Sequence, residues 1–181
     1  MQDKEPVYLT KMGHTYLTEL TFSFENMESI GYAIDFKEIK RVFVQFLQDK
    51  MDHGMILNPH DTLLVNTTKE YGTKLWLMSL NGEGEYCNPS VENIAKEVFL
   101  SMQIISQTLY PDQMIRLQIH KVKIYETPNC FTECFVDSIY EDEKMNFYKT
   151  NLIDIEDYSK EKGILEYDDR KVTYTYKPET K

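Results

Sequence analysis

Histidine and cysteine, the side chains that most often carry catalysis or metal binding, are few and scattered in this sequence. The chain contains four histidines and three cysteines, at positions His14, His53, His60, His120, Cys87, Cys130 and Cys134. The cysteines form no Cys-x-x-Cys pair, and none lies beside a cluster of histidines, so neither a thiolate metal site nor a disulfide framework is indicated. We interpret them as small buried hydrophobic residues, and their low number favours a reducing cytoplasm.

His60 and His120 are poor candidates for a site shared with a nearby acidic residue. His60 follows Pro59 in a predicted turn and is expected to be exposed. His120 lies on a predicted strand, an even number of residues before Glu126, so both side chains can face the same side of a sheet. At about 3.3 Å per residue they would lie roughly 20 Å apart, which is too far to contact one small ligand within a subunit.

The first half of the chain predicts strands followed by a helix. Residues 7–24 carry β-branched and aromatic residues in rough alternation, which indicates one or two strands. Asp35 can cap a helix that ends before Gly54. The apolar residues of this helix recur at helical spacing: Phe36, Ile39, Phe43, Phe46 and Leu47.

A second helix and a long strand are predicted further along the chain. Asn88 can cap the helix, with Pro89 at its first position. The long strand spans residues 114–125, and its apolar residues change face, which predicts a bulge near His120. Strands in pairs with two helices between them, and no β-α-β alternation, indicate an α+β fold with an antiparallel sheet.

The composition sets the class of protein and of partner. Thirty acidic against twenty basic residues give a formal net charge of −10, and such a surface repels phosphate backbones and anionic lipids. We therefore expect neither nucleic acid nor a membrane as partner. No apolar run reaches the roughly 20 residues needed to span a bilayer, and the first residues do not resemble a signal peptide.

The C-terminal quarter differs from the rest of the sequence. We divide the chain into a domain of residues 1–136 and an acidic extension of residues 137–181. Residues 171–177 alternate polar and apolar side chains, so the extension can add one more strand. Its apolar residues favour an appendage to the sheet over a solvated arm.

Five segments in order resemble a signature of the 6-pyruvoyltetrahydropterin and 6-carboxytetrahydropterin synthases. They are GYAIDFKEIK at 31–40, MDHGMILN at 51–58, GTKLWLM at 72–78, NPSVENIA at 88–95 and VKIYETP at 122–128. No single segment is decisive, but five in the family's order make a chance match improbable. The resemblance covers residues 14–135.

The resemblance implies the tunnelling fold and a mode of assembly. That fold is a four-stranded antiparallel sheet with two helices on one face. Subunits of the family associate edge to edge and close their sheets into a barrel, which removes exposed strand edges. We therefore expect a homo-oligomer, with ligand sites between neighbouring subunits.

The resemblance also implies a set of ligand-binding residues. Glu126 matches the glutamate that anchors the amino-pyrimidine edge of a pterin or purine, with Thr127, Ser90 and Glu92 nearby. A carboxylate accepts two parallel N–H bonds from a ring N–H and its exocyclic amine. The alternative interpretation of Glu126 is an ordinary glutamate at the end of a strand.

The residues that would bind zinc and carry out the family's reaction are incomplete in this sequence. Family enzymes hold zinc with three histidines. Here His14 matches one of them, Met12 occupies the position of the second, and the strand that bears the third would precede residue 1 or is absent. The position of the catalytic cysteine is Tyr8, whereas Asp52 and His53 match the proton-relay pair. With His14 as the only surviving candidate ligand, we expect no metal and no other cofactor, and the relay pair would be vestigial.

Three functions remain open on these observations. The first is an inactive pterin-synthase relative that binds a pterin or purine for sequestration or sensing. The second is an active 6-carboxytetrahydropterin synthase whose zinc is held by an atypical set of ligands. The third is a structural or protein-interaction module. We rank them in this order.

Overall fold

The described part of the chain is an α+β structure of three layers. The computed structural model describes residues 13–25, 33–82, 84–110 and 116–163, together with the backbone of residues 166–167 and 172–173. The first described elements are strand β1 (Leu17–Ser23), helix α1 (Phe36–Ile39, a π-helical Lys40–Val44 and Gln45–Lys50), β2 (Met55–Leu57), α2 (Thr62–Glu70) and β3 (Leu75–Leu77). They are followed by α3 (Val91–Leu109), β4 (Gln118–Thr127), β5 (Cys130–Phe135), a 3-10 turn (Val136–Ser138), α4 (Glu141–Gly163), β6 (Glu166–Tyr167) and β7 (Val172–Thr173).

The main sheet is antiparallel, with strand order β1-β4-β5. Its strands alternate between buried and exposed residues because one face packs on helices and the other does not. Strands β2 and β3 form a separate parallel pair. A four-stranded sheet was predicted, and three of its strands are described. Of the region 7–24, predicted as one or two strands, residues 17–23 form β1, and residues 7–12 lie outside the described part.

The bulge predicted near His120 is confirmed. In the pairing of β1 with β4, Thr21 lies opposite Lys121 and Phe22 lies opposite Ile119, so His120 has no partner in the ladder. Because of the extra residue, the buried positions of β4 are odd-numbered before the bulge (Ile119) and even-numbered after it (Val122 and Ile124). For this reason the apolar residues change face.

Helix α3 lies in the middle of the structure and joins the layers. It contacts β4 and β5 of the sheet, and α4 packs against it as well. A helix with neighbours on several sides has few exposed positions, so its sequence is apolar over most of its circumference. The core formed around it contains Phe43, Phe46, Phe99 and Phe147, all at most 1% exposed.

The two predicted helices are both present, and one start was wrong. Asp35 caps α1 by accepting a hydrogen bond from the backbone N–H of Lys37 at 2.8 Å. Helix α3 is capped by Ser90, two residues after the predicted Asn88. The side chain of Asn88 accepts a hydrogen bond from Asn58 Nδ2 at 3.2 Å, which fixes the segment before the helix.

The C-terminal extension contributes a 23-residue helix, α4, which the sequence analysis did not predict. The side chain of Glu143 accepts a hydrogen bond from the backbone N–H of Tyr140 at the start of the helix, at 3.0 Å. The helix packs mainly on α3 rather than on the sheet, so the expectation of an appendage to the sheet was wrong for these residues. Most of the range 171–177 lies outside the described residues, and Val172–Thr173 pairs with β6 in a two-stranded ribbon. The division at residue 136 remains a prediction.

Several polar contacts fasten α4 to the rest of the molecule. Asn146 Nδ2 donates to the carbonyl oxygen of Leu80 at 3.0 Å, and Asn151 Nδ2 donates to Ser79 Oγ at 2.8 Å. Near the other end of the helix, the hydroxyl of Tyr158 donates to Asp49 Oδ2 of α1 at 2.9 Å. Together with the buried ring of Phe147, these bonds make the helix part of the folded core.

Candidate functional site

Glu126 lies at a second bulge, at the end of β4. Tyr125 pairs with Phe131 and Thr127 pairs with Cys130, so Glu126 is the extra residue between them. A bulge turns a side chain away from the regular alternation of the strand, and bulges recur beside ligand and active sites. The Glu126 side chain is 39% exposed, which leaves its carboxylate accessible.

An open cavity of about 430 Å³ adjoins this carboxylate. Six residues line it: Thr15, Leu17, Tyr125, Glu126, Thr127 and Pro128. They come from the start of β1 and the end of β4, which are neighbours because Leu17 pairs with Tyr125. Apolar and aromatic walls around one carboxylate are the surroundings that a flat nitrogen heterocycle needs.

His14 lies next to Glu126 and stacks on Tyr16, and neither residue is among the six that line the cavity. His14 Nδ1 lies 3.3 Å from Glu126 Oε1. The rings of His14 and Tyr16 are stacked, with centroids 5.7 Å apart and an interplanar angle of 7°. Burial, and then the negative charge of Glu126, raise the pKa of Tyr16, so its hydroxyl stays protonated beside the carboxylate.

Thr127 has a structural contact as well as a place in the cavity wall. Its Oγ1 accepts a hydrogen bond from the backbone N–H of Cys130 at 3.1 Å. This bond closes the turn between β4 and β5, and so it fixes the end of the strand on which Glu126 lies. Thr127 therefore shapes the site in addition to lining it.

Asp52 and His53 form a pair, as their adjacent positions in the sequence allow. They follow α1, and His53 Nδ1 lies 3.0 Å from Asp52 Oδ2. His53 has a backbone φ of 54°, in the left-handed region that few residues other than glycine adopt. Its side chain is 90% exposed, and neither residue lines the cavity at Glu126 in this chain.

Ser90 and Glu92 lie at the start of α3. Ser90 Oγ accepts a hydrogen bond from the backbone N–H of Asn93, and Glu92 is an exposed acidic residue of the first turn. Among the described residues, the cavity wall includes Glu126 and Thr127 but neither Ser90 nor Glu92. The structure of one chain thus brings together two of the four predicted ligand-binding residues, with His14 beside them.

Sequence comparison identifies the family. A family profile described as "6-pyruvoyl tetrahydropterin synthase" matches residues 12–136. The chain belongs to this family. Its α+β architecture is the tunnelling fold of the family, and the resemblance seen in the sequence is confirmed.

Three Rickettsia proteins named 6-carboxy-5,6,7,8-tetrahydropterin synthase are similar to the chain. The protein from Rickettsia bellii is 33% identical over 124 residues, which are 67% of this chain and 80% of the relative. Those from Rickettsia typhi and Rickettsia felis are 32% and 30% identical over 122 and 128 residues, with the same coverage. No solved structure matches the chain significantly. The matched region excludes α4, which follows residue 136.

The described residues do not fit the zinc centre that the family resemblance implies. Within residues 13–163, apart from the undescribed gaps, no three His, Cys, Asp or Glu side chains are grouped so that they could hold a metal ion. The contacts of His14 are a carboxylate and an aromatic ring. Tight zinc sites use three or four protein ligands. Met12 and Tyr8 lie outside the described residues.

Glu97 is a polar residue of the core that the sequence analysis missed. Its side chain is 0% exposed. The carboxylate accepts hydrogen bonds from Trp76 Nε1 at 2.5 Å and from the backbone N–H groups of Ser79 at 2.5 Å and Leu80 at 3.2 Å. Burial raises the pKa of Glu97 to about 7, despite these donors. The only signal in the sequence is an acidic residue inside the apolar part of α3, next to Val98.

The structure also tests the predictions about membrane spans and about the cysteines. None of the helices that the structure describes is long and apolar enough to cross a membrane. Cys87, Cys130 and Cys134 carry free thiols. The prediction that the cysteines are buried is confirmed for Cys87 and Cys134 and wrong for Cys130, which is exposed at the first position of β5.

Proposed function

We propose that this protein binds a pterin or a related amino-pyrimidine heterocycle at Glu126 and does not carry out the zinc-dependent reaction of its family. The observation that carries the proposal is the carboxylate of Glu126, turned by a bulge toward an open cavity with apolar walls. Sequestration or sensing of the heterocycle is the use that this binding would serve.

The chemistry of recognition follows from the carboxylate. Its two oxygens can accept the ring N–H and the exocyclic amine of one amino-pyrimidine edge in parallel, a charge-assisted pair. The ring of Tyr125 and the side chain of Leu17 offer apolar contact to the faces of a flat ligand. Lys123 Nζ lies 4.7 Å from the centroid of the Tyr125 ring and helps to hold that ring in place.

The absence of turnover is proposed from the sequence and from the surroundings of His14. Met12 and Tyr8 stand where the resemblance implies a zinc-binding histidine and the catalytic cysteine. One imidazole beside a carboxylate is a weak site for zinc, which prefers three or four His or Cys ligands. Asp52 and His53 would then be a relay pair without a reaction to serve.

A complete site would need a second subunit. We propose a homo-oligomer that closes its sheets into a barrel, in which Ser90, Glu92, Asp52 and His53 approach the cavity of a neighbouring chain. This accounts for their distance from the cavity wall within one chain. Sedimentation velocity tests it, because a monomer at micromolar concentration would contradict the assembly.

The experiment that tests the ligand compares pterin with lumazine, which differs by a carbonyl in place of the 2-amino group. Titration calorimetry should give binding of pterin and about 10- to 150-fold weaker binding of lumazine. Lumazine keeps the ring N–H but loses the amine N–H, and one bond to a charged acceptor contributes about 1.5–3 kcal/mol. Glu126→Gln should weaken pterin binding to a similar degree. The control Glu70→Gln removes an exposed carboxylate from the end of α2 and should change nothing. Equal binding of both compounds, or no loss in Glu126→Gln, contradicts the proposal.

The alternative is an active enzyme of the family, favoured by the names of the Rickettsia relatives and by the contact between Asp52 and His53. It requires zinc ligands from residues outside the described part or from another subunit. Plasma emission of the full chain purified without chelators separates the two functions. About one zinc per chain supports the enzyme, and a value near zero supports binding alone.

A third function, an interaction module with a vestigial pocket, predicts that no heterocycle stabilises the protein. A ligand that binds only the folded state raises its melting temperature by mass action. A thermal-shift series with pterin, neopterin and guanine therefore tests it. A cytoplasmic location remains a prediction that cell fractionation can check.

A further inference from the structure

We propose that His14 is a positioning residue that holds the carboxylate of Glu126 in the orientation that accepts the ligand. The inference rests on the proposed role of Glu126 as anchor, and it goes beyond it by assigning His14 a task other than metal binding. The imidazole acts through the carboxylate and is not itself a contact of the heterocycle.

The contact between the two side chains joins separate parts of the chain. His14 precedes β1 and Glu126 lies at the bulge of β4, and their atoms Nδ1 and Oε1 are 3.3 Å apart. Both side chains are partly accessible, His14 at 35% and Glu126 at 39%. A glutamate at this exposure has several rotamers of similar energy unless a neighbour selects one, and His14 is the ionisable neighbour that contacts it.

The imidazole is itself held in place. The ring of Tyr16 lies parallel to that of His14, at a centroid distance of 5.7 Å. Tyr16 is half-buried and belongs to the segment that leads directly into β1. The sheet therefore fixes the position of Tyr16, the Tyr16 ring restricts the orientation of the His14 ring, and His14 restricts the orientation of the carboxylate.

The contact leaves the carboxylate able to bind. The contact of His14 is with Oε1, and the Glu126 side chain is 39% exposed, so the carboxylate stays accessible to a ligand. A carboxylate oxygen can accept more than one hydrogen bond, so Oε1 can take a ligand N–H while His14 stays in contact with it. A carboxylate fixed before the ligand arrives loses less conformational entropy on binding, which is the advantage of preorganisation.

A first experiment tests the contact without any ligand. The ¹³Cδ resonance of Glu126 in the full-length protein is assigned by its disappearance in Glu126→Gln. His14→Leu removes the imidazole that contacts the carboxylate and should move this resonance. His14→Asn keeps a side-chain N–H near the position of Nδ1 and should leave the resonance close to that of the wild type. An unchanged resonance in His14→Leu overturns the proposal.

A second experiment tests whether His14 acts through Glu126, with pterin as the probe. His14→Leu should weaken pterin binding about threefold to tenfold, the range expected from freeing one side chain that was held in a single rotamer. His14→Asn should restore binding to within about twofold of the wild type. In the Glu126→Gln background, His14→Leu should have no further effect, because the group that it positions is gone.

The outcomes separate this inference from the proposed function. If His14→Leu weakens pterin binding equally in the wild-type and Glu126→Gln backgrounds, His14 contacts the ligand directly. If it does not weaken binding in the wild-type background, His14 has no role in binding. Either result overturns the inference while Glu126 remains the anchor. If the wild-type protein binds no pterin, the proposed ligand is wrong. The ¹³C result alone then decides whether His14 holds the carboxylate.

Discussion

The buried carboxyl group of Glu97 should make the stability of the protein fall as the pH rises from about 4.5 to about 7. Burial raises its pKa from an ordinary value of 4.5 to about 7 in the folded protein. Between these values the folded state binds a proton that the unfolded state has released, so proton binding favours folding. The stabilisation is complete below the unfolded pKa and is lost as the pH rises through the folded one.

The magnitude follows from the two pKa values. At about 1.4 kcal/mol for each pKa unit, the difference between 4.5 and about 7 corresponds to roughly 3 kcal/mol of unfolding free energy. Asp49 and Glu133, whose pKa values are lowered from 3.8 and 4.5, act in the opposite direction and at lower pH than Glu97. The contribution of Glu97 is isolated by comparison with Glu97→Gln, which cannot ionise.

Two assays measure the prediction. Urea unfolding of the wild type and of Glu97→Gln from pH 4.5 to 8 should give a difference in stability that changes by about 3 kcal/mol over this range. Trp76 is the only tryptophan of the chain, and its indole N–H donates to Glu97, so its fluorescence in the native state should titrate with a midpoint near pH 7.

The native-state titration keeps the test valid even if Glu97→Gln is too unstable for urea unfolding, because the wild type alone gives a midpoint. Glu70→Gln, which removes an exposed carboxyl group, should leave this midpoint unchanged. A flat fluorescence signal between pH 5.5 and 8.5, or the same midpoint in Glu97→Gln, would refute the reasoning.

Three further predictions concern the helices. Phe147→Ala should lower the unfolding free energy by about 3–5 kcal/mol, because the ring is fully buried. Ile153→Ala, on the exposed side of the same helix, should change the unfolding free energy by less than about 0.5 kcal/mol. Similar values for both variants would show that α4 does not pack as described. Ser90→Ala should cost about 1 kcal/mol through the lost cap of α3, and Ser90→Asp should recover most of it, as thermal melts can measure. Lys96→Met should cost about 2 kcal/mol in urea unfolding, because Glu143 loses its cationic partner and keeps the hydrogen bond from the backbone N–H of Tyr140. The double variant Lys96→Met with Glu143→Met should be closer to the wild type, and no difference between the single and double variants would contradict a coupled pair.

Local patterns in the sequence predicted the elements that depend on local physics. Helix α1 was predicted because apolar residues at helical spacing follow a capping aspartate, and Asp35 indeed makes the capping bond. The bulge at His120 was predicted because an extra residue must reverse the alternation of a strand that stays buried on one face. Neither prediction required knowledge of distant contacts.

Helix α4 was missed because its sequence carries little periodic signal. Of its 23 residues, only Phe147, Ile155 and Ser159 are buried, and the rest are mostly charged or polar. A helix held by a few apolar and aromatic residues and several hydrogen bonds resembles a solvated acidic segment when only the sequence is read. Its stability comes from the partners that α1 and α3 supply.

The contacts of Glu97 and His14 were missed for a different reason. The donors to Glu97 lie about 17 to 21 residues away along the chain, in β3 and the turn that follows it. His14 meets Glu126 only because β1 and β4 pair in one particular register. A sequence names such residues, but only the pairing of strands brings them together.

Under the proposed function, the physical demands of binding and of reaction explain how one can persist without the other. The anchor needs a single carboxylate at a strand end, and the core that sets the register of β1 and β4 maintains that position for reasons of stability alone. A zinc centre needs several ligands from different segments at once, so a single replacement such as the one at Met12 removes it. Once the metal is lost, an imidazole next to a carboxylate has a new partner at no cost to the fold. The contact of His14 with Glu126 is the arrangement that this reasoning predicts.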